Sequence, residues 1–249
     1  MAKFENAPGI ILENLSFAFS GTAIFSGLDF EIPGGQWTCL LGPSGCGKST
    51  LLRLISGSLG QPFSGSISFD NGHTGQKLTA WMAQKDLLLP WLTVRSNALL
   101  GARLRGGVTR ERIGSAESLL RAAGLGDCLQ AYPASLSGGM RQRVALVRTL
   151  MENRPVILMD EPFSALDALT RLKLQDLALN LLRGATVLLV THDPYEALRL
   201  GHRIQVMTGR PARLSPPLLP PGRPPRRLDE AEVAALHSGL FERLKSEGG

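Results

Sequence analysis

The sequence predicts an α/β fold in which parallel strands alternate with helices, and three short apolar runs carry that prediction. Trp37-Thr38-Cys39-Leu40-Leu41 leads into a glycine-rich stretch, and Val156-Ile157-Leu158-Met159 ends in two carboxylates. Thr186-Val187-Leu188-Leu189-Val190 ends in Thr191-His192-Asp193. Runs of this length without polar alternation suit strands covered on both faces, as in a parallel sheet. In such sheets ligands bind just outside the carboxyl ends of the strands. Polar groups stand at that position after each run.

The first run is followed by Gly42-Pro43-Ser44-Gly45-Cys46-Gly47-Lys48-Ser49-Thr50, which satisfies G-x-x-x-x-G-K-[ST]. Its glycines let backbone N–H groups converge on an anion without Cβ collisions. A helix beginning near Lys48 turns its positive dipole end to the same place, and Leu51–Ile55 reads as that helix, ending near Gly57. Lys48 adds a mobile charge for the β- and γ-phosphates of a nucleotide, and the Ser49 hydroxyl can ligate Mg²⁺. The second run delivers Asp160, suited to holding that Mg²⁺. Glu161 lies one residue beyond, where a carboxylate can polarise an attacking water.

Leu136-Ser137-Gly138-Gly139-Met140-Arg141-Gln142-Arg143 repeats this logic. Ser137 suits an N-cap, and Met140, Val144, Val147 and Met151 fall at helical spacing behind it. The start of that helix is a second anion-binding end.

Taken in order with Ser164-Ala165-Leu166-Asp167 and Thr191-His192-Asp193, these motifs resemble the ATP-binding-cassette (ABC) ATPases over nearly the whole chain. The resemblance implies an α/β P-loop NTPase core with an antiparallel β subdomain and an inserted helical subdomain. It also implies ATP with Mg²⁺ as ligands, and ATP hydrolysis as the reaction. Two copies would pair head to tail, so that Ser137, Gly138 and Gly139 of one contact the γ-phosphate held by the Gly42–Thr50 loop of the other. Glu161 would be the general base, and His192 would contact the γ-phosphate and orient the water. Asp167 would lie in the loop that touches the opposing subunit. Gln84, in Trp81-Met82-Ala83-Gln84, matches the glutamine that reaches Mg²⁺ beside Ser49 and Asp160 and links the core to the helical subdomain. In this family the adenine stacks on an aromatic near the N-terminus. Phe19 aligns best and Phe17 is the other candidate; Phe keeps the stacking face of the usual Tyr and loses its hydroxyl.

Residues 1–249 then divide as one ABC ATPase domain. Residues 1–89 and 135–210 form the nucleotide core, with antiparallel strands near 10–32. Residues 90–134 are strand-poor and match the helical subdomain. The prolines at 211, 216, 217, 220, 221, 224 and 225 predict an extended, polyproline-like tether. Asp229–Lys245 reads as a closing helix carrying Leu228, Val233, Leu236, Leu240, Phe241 and Leu244.

Composition narrows the classes. No window approaches 18 consecutive apolar residues and the N-terminus lacks an apolar h-region, so neither a membrane span nor a signal peptide is expected. Cys39, Cys46 and Cys128 show no ligand spacing, which argues against disulfides and zinc, and Cys46 reads as packing within the loop. His73, His202 and His237 lack companions in sequence and are expected on surfaces or in local hydrogen bonds. The net charge of +6 comes from arginines scattered without an aromatic stacking platform. ATP and an anionic membrane surface account for it, and no nucleic-acid partner is expected.

A finer resemblance covers Lys85–Val94 with Asn97, Gly209-Arg210-Pro211 and the Pro221–Arg227 tail. It is to importers of nitrate, taurine, aliphatic sulfonates and thiamine-precursor pyrimidines. The implied setting is peripheral, on the cytoplasmic face of the inner membrane. The implied partners are permease subunits, a second copy of the chain and an extracytoplasmic solute-binding protein. Leu87, Leu88, Leu89, Trp91 and Leu92 form an apolar patch expected to line a groove for a permease helix, although Trp91 also suits plain packing. Met82-Ala83-Gln84-Lys85-Asp86 departs from the family's more usual Phe-Gln-Glu-Pro. The alternative is a non-transport ABC ATPase acting on nucleic acid or ribosomes. That class shows coiled-coil insertions or tandem cassettes, and this chain has neither.

Overall fold

The computed structural model describes Phe4, residues 6–70, Gly72 and residues 75–164, 166–227 and 231–246. His73, Ala165, Leu228 and Asp229, named above, lie outside these. In chain order the first half contains β1 (Ile10–Phe19), β2 (Thr22–Ile32), β3 (Trp37–Leu41), α1 (Lys48–Ile55), β4 (Ser64–Phe69), α2 (Gly75–Leu78), β5 (Thr79–Met82), α3 (Val94–Ala98), α4 (Leu100–Leu104) and α5 (Arg110–Ala122). The second contains α6 (Gly138–Met151), β6 (Val156–Asp160), α7 (Ala168–Leu181), β7 (Thr186–Thr191), α8 (Pro194–Leu200), β8 (Arg203–Thr208), β9 (Arg213–Leu214) and α9 (Ala231–Ser246). The chain forms two compact units: Ala80–Arg154 with Pro162–Leu181 make one, and the remainder makes the other.

The larger unit holds two kinds of sheet. β2, β1 and β4 pair antiparallel in that order. Ser20 and Gly21, both at positive φ (48° and 82°), close the β1–β2 hairpin as a two-residue turn of the primed type. The second sheet runs β6-β7-β3-β8, all parallel, with β9 antiparallel on β8. Every residue of β3 and β7 is buried, as their mainly apolar, uncharged runs lead one to expect of strands covered on both faces. Leu41 pairs with Thr191 and Asp160 with Val190, so the chain leaves β3, β6 and β7 at one level on the carboxyl edge.

The proline-rich stretch is anchored rather than free-running. Arg213 and Leu214 pair with β8, and Leu218 bridges Ile204. Arg226, only 4% exposed, donates to five carbonyls: Pro221 (2.6 Å), Leu198 (2.9 Å), Gly201 (2.6 Å), Pro220 (3.0 Å) and Gly222 (3.1 Å). Two of these are at the C-terminal end of α8, where a cation is favoured. α9 follows and packs on α8 with Val233 and Leu240 buried. The His237 ring stacks 3.8 Å from that of Tyr195, with Phe241 at 6.1 Å. His202 accepts a hydrogen bond from a residue far away in sequence, from the Trp37 N–H to Nδ1 at 3.1 Å.

The smaller unit is built round α6, whose Val144 and Val147 join Val94, Ala98, Leu120 and Leu136 in one core. Asn97, fully buried, shapes the loop before α3. Its Oδ1 accepts from the Leu89 N–H, and its amide donates to the carbonyls of Leu89, Leu92 and Thr93. Trp91 stands on that loop 69% exposed, so it is not a packing residue of its unit. Strip 84–87 is tied to α6 by Gln142 Nε2 to Gln84 O (2.8 Å), Arg141 to the Asp86 carboxylate (3.0 Å) and Arg148 to the carbonyls of Asp86 (2.6 Å) and Leu87 (2.8 Å).

Candidate active site

Residues 42–47 pass from the end of β3 to the start of α1 as a tight loop. Gly45 and Gly47 adopt φ of 79° and 108°, a region that side chains avoid. A Cβ on Gly47 would also lie 2.8 Å from Ile24 Cγ2 and 3.2 Å from the Phe25 ring, so β2 sits directly against the loop. α1 has no side-chain cap, which leaves its first-turn N–H groups to an anion. Lys48 is buried, with Nζ donating to the carbonyls of Gly42 (2.7 Å) and Pro43 (2.8 Å). The ammonium is thus held inside the loop it serves. Cys46 is buried in the same loop, in keeping with a packing role.

Asp160 ends β6 and its Oδ1 accepts from the Ser49 hydroxyl at 3.0 Å. Burial pushes the Asp160 carboxyl up; the Ser49 hydrogen bond opposes this and the charge of Glu161 adds to it. A carboxylate so disfavoured, beside a hydroxyl, fits a hard divalent cation that would relieve its charge. Among the described residues no cluster of three His, Cys, Asp or Glu could hold a metal alone. Mg²⁺ at Ser49 and Asp160 would therefore need oxygens from phosphate and water, its usual habit.

Glu161 is turned into the left-handed region, φ 46°, while its N–H still bonds Val190 O at 2.9 Å. Such a conformation costs a non-glycine residue about 1–3 kcal/mol and is concentrated at functional sites. Its Oε2 lies 3.1 Å from His192 Nδ1, the Glu161 side chain 17% and the His192 side chain 57% exposed. His192 is set by the turn that opens α8. Thr191 Oγ1 accepts from the Asp193 N–H, and Asp193 caps the helix through the Tyr195 N–H. Lys48, Ser49, Asp160, Glu161 and His192 are therefore gathered at one sheet edge. At the β1–β2 turn Phe19 is 54% exposed, whereas Phe17 is core at 4%. Only Phe19 has a ring face to offer.

In the smaller unit Ser137 caps α6, its hydroxyl accepting from the Met140 N–H at 3.3 Å. A Cβ on Gly139 would run into the Thr170 side chain of α7, while one on Gly138 would meet only Arg141 at 3.9 Å. Gln84 Nε2 donates to Ser164 Oγ at 3.3 Å. Gln84 and Gly138 share a cavity of about 550 Å³ with Asp86, Leu87 and Arg141. The sequence reading missed one contact with the phosphate loop: Arg210 Nη2 donates to Gly45 O at 2.9 Å. The only signal was the Gly209-Arg210-Pro211 turn, which says nothing of where its side chain goes.

The family profile described as ABC transporter matches residues 25–164, which contain the phosphate loop, Ser137–Gly139 and Asp160-Glu161. The chain belongs to the ABC transporter family. It is 43% identical to an uncharacterized ABC transporter ATP-binding protein of Haemophilus influenzae, over 95% of this chain and 98% of that one. It is 44% identical to an aliphatic sulfonates import ATP-binding protein of Pseudomonas savastanoi pv. phaseolicola, over 91% and 92%. Among solved structures, it resembles a dimeric ATP-binding cassette in a post-hydrolysis state with ADP and Pi, at TM-score 0.72 and 32% identity. That match covers 86% of this chain and 99% of the other. The fold is the α/β P-loop fold of ABC ATPases, and this ABC chain binds and hydrolyses ATP.

Proposed function

We propose that this ABC ATPase powers an importer for a small solute of the sulfonate, taurine, nitrate or thiamine-precursor type, with sulfonates first. In this reading it works as a homodimer, peripheral on the cytoplasmic face of the inner membrane. Two permease subunits and an extracytoplasmic solute-binding protein complete the complex. The similarity to sulfonate import ATP-binding proteins supports the substrate class. No helix among the described residues is long and apolar enough to cross a membrane, which is consistent with permease subunits supplying the pore. The observation that carries the hydrolytic part is the Glu161–His192 pair at 3.1 Å beside the Ser49–Asp160 pair at 3.0 Å.

Each residue then has a task. The N–H groups of residues 42–50 hold the phosphates, and Lys48 exchanges its carbonyl partners for β- and γ-phosphate oxygens. Ser49, Asp160 and Gln84 would hold Mg²⁺, which when bound neutralises charge on those oxygens. Glu161 takes the proton of the attacking water. His192, bonded to Glu161, orients the water and contacts the γ-phosphate. Phe19 stacks on the adenine. Ser137, Gly138 and Gly139 bind the γ-phosphate of the ATP held by the second copy. The exposed Leu87 and Trp91 belong to the surface that receives a permease helix.

Glu161→Gln keeps the shape of the side chain and removes its basicity. In the transporter reconstituted with permease and binding protein, it should bind ATP normally and hydrolyse it roughly 10²–10⁴-fold more slowly. The variant chain should also dimerise on adding MgATP, by light scattering, because the γ-phosphate links the two copies. Wild-type turnover would end the base assignment. Stimulation of the wild type by nitrate but not by an alkanesulfonate would move the substrate away from sulfonates.

A further inference from the structure

We infer that Arg210 is a positioning residue of the phosphate loop, holding the Gly45–Cys46 peptide in the orientation that turns an N–H toward the nucleotide. The proposal rests on the reading that residues 42–50 hold the phosphates. Three observations place Arg210 in that role. First, β8 runs parallel to β3, with Leu41 beside Val206, so the segment leaving β8 emerges next to the loop leaving β3. The two meet at backbone distance: a Cβ on Gly42 would strike the Met207 carbonyl. Second, Arg210 Nη2 donates to Gly45 O at 2.9 Å, and a Cβ on Gly45 would lie 2.8 Å from that same nitrogen. Third, the turn behind Arg210 is pinned, because the Ala212 N–H donates to Ile24 O at 2.8 Å. Ile24 is the residue that packs against Gly47, so one short segment braces the loop at both glycines.

The consequence follows from peptide geometry. In a planar trans peptide the carbonyl and the next N–H point in opposite directions. Drawing the Gly45 carbonyl toward Arg210 therefore sends the Cys46 N–H to the other side. Gly45, at φ 79°, has no Cβ to resist a flip of this peptide, so an outside restraint is needed to keep one orientation. A guanidinium supplies it through a charge-assisted hydrogen bond, stronger than a neutral donor would give. The phosphate loop is thus only partly self-organised. Its second glycine peptide is set by an arginine 165 residues further along the chain.

The test compares Arg210→Met, Arg210→Gln and Lys48→Ala in the full chain, by calorimetric affinity for ATP and for adenosine. Arg210→Met should weaken ATP roughly tenfold, the low end for a hydrogen bond to a charged group, because the site is partly solvated. Adenosine affinity and the melting temperature of the nucleotide-free chain should stay unchanged, a split that general damage to the fold does not produce. Arg210→Gln, which keeps an N–H donor without the charge, should recover part of the loss, and the deficit should persist at high salt. ATP affinity within about twofold of wild type would overturn the proposal, as would a deficit that salt abolishes, since an exposed charge acting at a distance is screened. A loss shared equally by adenosine would overturn it too. If Lys48→Ala also binds ATP like wild type, the phosphate reading falls and Arg210 with it. If Lys48→Ala loses ATP while Arg210→Met does not, the Arg210 proposal alone fails.

Discussion

Replacing Arg226 by Met keeps the length and apolar stem of the side chain and removes every donor. Five carbonyls between 2.6 and 3.1 Å lose their partner at once. At about 1.5–3 kcal/mol for each charged hydrogen bond the sum, roughly 8–15 kcal/mol, would equal the whole stability of a typical domain, so it cannot be the real cost of losing one side chain. The carbonyls of Pro220, Pro221 and Gly222 belong to the tail and would regain water once it lifts away. Those of Leu198 and Gly201 would be exposed by the same movement. The loss is therefore capped by the free energy of docking the tail, and about 3–5 kcal/mol, roughly what the two bonds across to Leu198 and Gly201 supply, is the expected range. For a chain of this size that lowers the melting temperature by roughly 6–20 °C. Differential scanning calorimetry measures it, and limited proteolysis should show earlier cutting between residues 211 and 227. The His202 imidazole gives an independent signal: its pKa is held down by burial and then by the charge of Arg226, so it should rise in the variant by NMR titration. A melting temperature within about 2 °C of wild type, with an uncut tail, would refute the account.

Two further outcomes are expected. Asp160→Asn should raise the melting temperature of the nucleotide-free chain at neutral pH while abolishing Mg²⁺-dependent ATP binding. Because the folded carboxyl is shifted up from 3.8, its stabilising protonated form is lost as pH rises through the folded value. The advantage of Asn should accordingly disappear as pH falls toward 3.8; calorimetry across pH with no such convergence would contradict the burial argument. Leu87→Asp with Trp91→Asp changes two side chains that are 59% and 69% exposed, so folding and ATP binding should survive while permease association and transport are lost. Normal co-purification with permease would place the docking surface elsewhere.

Much of the site was legible because its residues sit where strands end. The runs at 37–41, 156–159 and 186–190 carry no charge and little polarity since both faces are covered, and Gly42, Asp160, Glu161 and His192 follow from where they stop. Other features leave no trace in composition. The choice between Phe17 and Phe19 depends on β1, where the pairing register shifts between Leu12 and Leu15, between Leu15 and Phe17, and again at Ala18. Simple alternation puts both rings on one face, and only the exposed hairpin end separates them. The left-handed Glu161 is likewise invisible, since nothing in Asp-Glu-Pro announces a positive φ. The partners of Arg226 and Arg210 are backbone carbonyls, which every residue possesses. A proline-rich segment held by such bonds looks the same in sequence as one that is free.

The ties between α6 and strip 84–87 have a mechanical meaning. Gln142, Arg141 and Arg148 are spread along two turns of the helix, and each grips a different point of the strip. Beyond the helix start, Gly139 abuts Thr170 so closely that α7 is drawn into the same block. Sliding the strip while α6 stays still would break charged hydrogen bonds worth about 1.5–3 kcal/mol each before any motion was gained. Leu87, gripped by Arg148, and Ser137 at the head of α6 are therefore two ends of one part, without backlash between them. Whatever shifts the exposed end displaces the capped end in the same stroke, and the coupling ratio is set by the length of a helix rather than by the softness of a loop.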